Sequence, residues 1–300
     1  MSDLERAIID TVAWFAVSEQ PLTLFFIWQW LWKPERAYGL EEVEEALRTS
    51  SVLASRLQKC DGFYTLLDLP LDRWIVARQK GWADAIRKMR KLSRARLYLN
   101  SLPSVEAVYA VNTLAWHQTS PNSDIDLLIV TQPGMLWTTR FLCVLPFALM
   151  KKRPDNGHQI QDPFCFSFFI SSDALAMQRF QLSDEDPYLV YWTRSVIPIV
   201  ASPNVLTHWP QANEWAKKFL PHAIWRGSLR PHGTFSHRPV RFSFHLLERV
   251  LRWIQMRRLP LTITRLANQD TRVVIDQSTL KFHENDRRAE MRARWRVLRN

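Results

Sequence analysis

Along most of this chain apolar residues recur every third or fourth position, and in two stretches the spacing tightens to every second residue. From Leu4 to Val17 the positions Leu4, Ile8, Ile9, Val12, Phe15 and Ala16 keep the helical period. Gln20-Pro21 interrupts it. A second helix is expected over Leu22 to Trp32, closed by Pro34, and a third over Leu40 to Arg48 with Leu40, Val43, Ala46 and Leu47 inward. LASRLQKC and FYTLL, on either side of Asp61-Gly62, read as a hairpin, because a two-residue loop needs positive φ at both positions and Asp-Gly tolerates it.

Three helices followed by a hairpin wing outline a winged-helix-like module over residues 1–70. Its third helix opens with Glu41, Glu42, Glu44 and Glu45, which would meet phosphates of like sign. Packing against the rest of the chain or a partner protein is therefore expected in place of groove-reading DNA binding. Trp28, Trp30 and Trp32 fit a core or interface. A basic helix follows from Asp72 to Asn100, within a linker region 71–104, with Trp74, Ala77, Ile86, Met89 and Leu97 on its apolar side. Its Arg and Lys run reads either as a solvated face or as a phosphate-attracting rim beside the next segment.

That next segment, VEAVYAVNTLAWHQTSPNSDIDLLIV from Val105 to Val130, reads as a strand, a polar turn with a short helical excursion, and a second strand. Alternation along the second strand puts Asp124 and Asp126 on one face and Ile125 and Leu127 on the other. Two like charges that close call for a cation between them, and a divalent metal is the usual solution. A mixed α/β core is expected over 105–200, with a strand at FCFSFFI and helices at Leu136 to Met150 and Asp186 to Val200. A helical, basic region is expected over 201–300, with helices at Asn213 to Leu220 and Phe242 to Arg258 and an arginine-rich tail from Lys281. Arg226 to Arg241, rich in Pro, Gly, His and Arg, reads as a mobile connection, and His232, His237 and His245 as surface or capping residues.

Composition narrows the chemistry. The net charge of +11 favours polyanions as partners. Each of the seven glycines stands alone, so no glycine-rich phosphate loop can be assembled and any phosphate site must use metal, side chains or a helix start. Cys60, Cys143 and Cys165 share no CxxC spacing and read as buried thiols. The longest apolar runs, Leu22 to Leu31 and Phe141 to Met150, are too short to span a bilayer, and MSDLERAII lacks the pattern of a signal peptide. No membrane association and a cytoplasmic location are the expectations.

The order Val111, Asn112-Thr113, a spacer, then Asp124-x-Asp126 in the string SDIDLLIV resembles the core of the polymerase-β-type nucleotidyltransferase superfamily. GMLWTTRFL and FCFSFFIS resemble bacterial stand-alone members of that superfamily, and the likeness covers about Ser104 to Ser172. It implies an α/β (α+β) fold built on a mixed sheet with helices on one side. It also implies an enzyme: Mg²⁺-dependent transfer of a nucleotidyl group from an NTP to a nucleic-acid or protein acceptor. Asp124 and Asp126 would be the catalytic metal ligands, with Asn112, Thr113 and Ser123 around the nucleotide. Three departures stand out: Asn112 replaces the family glycine, His117 a small residue, and FCFSFFI carries no third carboxylate, Asp162 and Asp173 merely flanking it. They define the alternative, a relative without activity that keeps the fold and binds nucleic acid or a partner protein.

Overall fold

The computed structural model describes residues 1–152, 160–228 and 245–300. Helix α1 (Asp3–Ala16) begins at Ser2, whose Oγ accepts from Glu5 N at 3.2 Å while the Glu5 carboxylate accepts from Ser2 N at 2.6 Å. This reciprocal cap satisfies two backbone donors that a helix start leaves open. Strand β1 (Leu22–Thr23), helices α2 (Leu24–Gln29), α3 (Leu40–Thr49) and α4 (Ser51–Ala54), and strands β2 (Leu57–Cys60) and β3 (Phe63–Leu66) follow, the strands forming a sheet in the order β1-β3-β2. The hairpin turns at Asp61 (φ +49°) and Gly62 (φ +78°), as their residue types predict. The second helix is shorter than its pattern suggested. Leu22 and Thr23 are drawn into the sheet, Thr23 Oγ1 caps α2 at Phe26 N, and the backbone leaves the helix so that Trp30 and Trp32 are buried, Trp32 N donating to Thr11 Oγ1 at 2.8 Å.

This N-terminal unit packs on the rest of the chain. Tyr191 stacks on Trp14 at 5.5 Å and on Trp32 at 5.4 Å, and its hydroxyl donates to Trp30 O at 3.0 Å. Trp295 joins the same core and its Nε1 donates to Asp10 O at 2.9 Å. Glu41, Glu42, Glu44 and Glu45 remain exposed on α3.

Helix α5 (Leu71–Ser101) leads into a six-stranded mixed sheet. Its strands are β4 (Val105–Ala110), β5 (Ile125–Thr131), β6 (Phe164–Ser171), β7 (Ile197–Ala201), β8 (Val273–Ile275) and β9 (Thr279–Phe282), in the order β7-β4-β5-β6-β9-β8. Strand β5 is antiparallel to β4 and parallel to β6. Between these strands lie α6 (Asn112–Ala115), α7 (Leu136–Leu149), α8 (Pro187–Ser195), α9 (Pro203–Ala212), α10 (His245–Arg257) and α11 (Leu261–Leu266), and α12 (Arg288–Arg299) follows β9.

Both faces of the sheet are covered, not one. Val108, Leu127, Ile129, Phe164 and Phe166 meet residues of α5, α7 and α10, whereas Tyr109, Leu128, Val130, Phe168 and Ile170 meet α8 and α9. The switch along β6 comes from a bulge. Asp126 pairs with Cys165 but Leu128 with Phe168, so one extra residue of β6 is inserted there and Phe168 turns to the opposite face from Phe164 and Phe166.

The C-terminal part is not all helical as its pattern suggested. The segment from Asp186 to Val200 splits at Ser195 into α8 and the strand β7, because Pro198 cannot continue a helix and its missing N–H is tolerated in an edge strand. Strands β8 and β9 extend the sheet beyond β6, and Asn213 to Leu220 contains only one short 3₁₀ turn, Glu214–Ala216. The connection expected over Arg226 to Arg241 lies, from 229 on, outside the described residues, as do His232 and His237. Among the described residues no helix is long and apolar enough to cross a membrane.

Candidate active site

The turn that delivers the two aspartates is held from beneath by α5. Gly81 lets residues 118 and 119 come close: a Cβ there would lie 3.2 Å from Thr119 O. Thr119 Oγ1 donates to Asp84 at 2.7 Å. Lys88, fully buried, donates from Nζ to Ser120 O at 2.6 Å and to Ser123 Oγ at 2.7 Å, and also to Ser123 O. Ser123 is thus engaged with the turn and Lys88. Strand β5 then starts with Ile125 buried and Asp124 and Asp126 partly open on the face toward α8.

The carboxylates of Asp124 and Asp126 and the thiol of Cys165 all lie within 4.8 Å of one another. Burial pushes both carboxyls above the ordinary carboxylate range; for Asp124 the neighbouring Asp126 charge adds to the effect. Hydrogen bonds from Asn112 and Cys165 offset part of this at Asp126, and Lys88 lowers both from behind. Burial, then the charge of Asp126, drives the Cys165 thiol up to about 12, so it stays protonated at neutral pH. The site has excess negative charge in low dielectric, the condition under which a bound cation is stabilising.

Asn112 takes φ +54°, a left-handed geometry that Asn adopts more readily than most residues. Its side chain is committed: Trp192 Nε1 donates to Oδ1 at 2.9 Å, and the amide bonds Asp126. Thr113 is exposed beside it at the start of α6. His117 also has φ +54°, stacks on Trp82 at 4.6 Å, and is pushed down to about 4 by burial and then by Arg226 and Arg78, so it is neutral.

Cys165 stands on β6 directly opposite Asp126. Asp162 is ion-paired with Arg87 at the entrance to β6, and Asp173 lies beyond the strand's other end. Behind Cys165, Ser167 bonds His283 Nε2 at 3.0 Å, and Tyr188 is close enough for the Asp126 charge to help burial push its hydroxyl up to about 12.

Alternation along FCFSFFI does mark Cys165 and Ser167 as the polar face. Nothing in the sequence singles out Lys88, Tyr188, Trp192 or His283, each brought in by a helix or strand remote in sequence.

A Mg²⁺ ion fits the two carboxylates, which are hard oxygen donors, and the thiol is the poor partner in the set. No protein-family model matches the sequence, and no curated protein or solved structure matches it.

Proposed function

We propose that the chain is a nucleotidyltransferase-like protein that binds a nucleoside triphosphate with Mg²⁺ at Asp124 and Asp126. The observation that carries this reading is the convergence of the two carboxylates with Asn112 and Thr113 at one end of the sheet. Phosphoryl-group chemistry requires mainly positioning and charge neutralisation, and a divalent cation bound here would supply the latter to the triphosphate. Asp124 and Asp126 hold the cation, Asn112 fixes the orientation of Asp126, and Thr113 offers its exposed hydroxyl to phosphate. The N-terminal unit, four helical segments (α1 to α4) and a hairpin with sheet order β1-β3-β2, supports a winged-helix-like reading in which its apolar face serves intramolecular packing.

One observation favours the second reading, a relative that binds nucleotide without transferring it. A nucleotidyl acceptor hydroxyl needs a base, and the cluster at this site consists of Asp124 and Asp126, which the cation would occupy, and Cys165, whose thiol is pushed up by burial and the Asp126 charge. Incubation with labelled NTPs, Mg²⁺ or Mn²⁺ and RNA or protein acceptors separates the two. Label transfer abolished in Asp124→Asn and Asp126→Asn supports the enzyme. Metal-dependent NTP binding without transfer supports the binding protein, and transfer undiminished in both variants would remove the site assignment.

A further inference from the structure

A cavity of about 400 Å³ opens beside Asn112 and Thr113, in the size range of small-molecule sites. Its walls come from two parts of the chain. The sheet side contributes Asn112, Thr113 and Trp116, the N-terminal unit contributes Gln20, and α8 contributes Tyr188. The rim is closed by a hydrogen bond between the two parts, Gln118 Nε2 donating to Ser18 O at 2.8 Å.

Two features of this cavity are those of a binding site and not of a packing defect. Gln20 is only 3% exposed, yet its amide nitrogen has no hydrogen-bond partner. A buried amide left unpaired is costly, and such a group lining a cavity is commonly completed by what the cavity receives. The second feature is aromatic surface. Trp116 and Tyr188 are partly exposed at the cavity while their backs are packed, Trp116 against Phe15 at 5.2 Å and Trp30 at 4.7 Å. Aromatic walls with one unpaired amide donor suit a flat heterocycle that carries hydrogen-bond acceptors on its rim.

We infer that this cavity receives the base of the nucleotide, stacked on Trp116 or Tyr188 and hydrogen-bonded by the Gln20 amide, so that the N-terminal unit takes part in substrate recognition. The inference rests on the proposed nucleotide site, since Asn112 borders both the cavity and Asp126. The base would enter the cavity while the phosphates extend toward Asp124 and Asp126. Trp192, bonded to Asn112 and also lining the cavity, joins the two halves.

The test compares three probes on the full chain by calorimetry: an NTP with Mn²⁺, inorganic tripolyphosphate with Mn²⁺, and the free nucleoside. The NTP is expected to bind about tenfold more tightly than tripolyphosphate, the contribution of one stacked and hydrogen-bonded base. Gln20→Met, which keeps the side-chain length and removes the amide, should remove most of that difference. Photolabelling with an azido-nucleotide should mark peptides containing Gln20 or Trp116, a readout that needs no variant to fold. Equal affinity for NTP and tripolyphosphate, or a difference that Gln20→Met leaves unchanged with label elsewhere, overturns the inference and leaves the metal–phosphate reading standing. Gln20-dependent nucleoside binding with no tripolyphosphate binding supports the cavity and removes the metal–phosphate reading. Binding of none of the three probes removes both.

Discussion

Two groups of carboxylates sit at the same end of the sheet and are treated in opposite ways. Asp84 and Asp162 face Arg87 and Lys88: Arg87 pairs with both, and Lys88 Nζ lies 3.4 Å from Asp84 and 3.7 Å from Asp162. Burial opposes the ionisation of each, but Arg87, together with Thr119 and Lys88 at Asp84 and with Lys91 and Lys88 at Asp162, outweighs it and holds both below the ordinary carboxylate range. Asp124 and Asp126, one strand start away, are raised by the same burial and have no cation in contact with them among the described residues. The first group is complete within the protein and fastens α5 to the entrances of β5 and β6. The second is incomplete, and an incomplete charge balance beside a cavity is a functional signal where a balanced one is structural.

The largest expected effect tests the completed group. Lys88→Met should lower unfolding stability by about 3 kcal/mol in denaturant titration, because it strands buried carboxylates and the Ser120 and Ser123 carbonyls together. Asp162→Asn should cost about 2 kcal/mol at pH 7 by removing a charged hydrogen-bond acceptor from Arg87. Asp126→Asn should cost little or nothing at that pH while eliminating Mn²⁺-dependent stabilisation.

The pH dependence should differ in sign. The folded-state value of Asp162 lies below the ordinary aspartate value of 3.8, so its contribution is full above 3.8 and is lost as pH falls through the lower folded value. The values of Asp124 and Asp126 lie above 3.8, so their cost grows as pH rises past 3.8 and is complete above the raised folded values. Thermal unfolding from pH 3 to 7 in the two Asn variants, with and without Mn²⁺, reads both slopes. Equal slopes would erase the distinction.

A smaller effect sharpens the second group. Cys165→Asp adds a third carboxylate to the cluster, and should raise Mg²⁺ affinity about tenfold while lowering metal-free stability by about 1 kcal/mol through added like-charge repulsion. Unchanged Mg²⁺ affinity would show that the three positions do not share one ion. The smallest effect is expected of Trp192→Phe, which frees Asn112 Oδ1 and should cost about 0.5 kcal/mol, with weakened NTP binding as the more sensitive readout.

What the sequence made legible was governed by local rules. The Asp61-Gly62 hairpin, the alternation of SDIDLLIV and the long period of α5 each depend on residues within a few positions of one another, and all formed where the pattern placed them. The regions misread depend on distant partners. VIPIV is an apolar run too short to distinguish strand from helix by period, and it becomes β7 by pairing with β4. Strands β8 and β9 are three and four residues long and exist because β6 offers an edge more than a hundred positions earlier. At the candidate site the pair Asp124 and Asp126 could be read directly, and the absence of a third acid was visible. That Cys165 lies opposite Asp126, and that a bulge in β6 follows it, could not be read from the residues alone.

The bond from Trp295 to the carbonyl of Asp10 joins partners 285 positions apart. Helix α1 thus finds part of its packing surface only after almost all of this sequence has been translated, and the edge of the main sheet waits nearly as long for Thr279–Phe282. Such non-local closure slows folding and prolongs exposure of sticky intermediates. The aromatic surface of the N-terminal unit, with Trp14 and Trp32 uncovered until Tyr191 and Trp295 arrive, is therefore where a nascent chain of this protein would most need a chaperone.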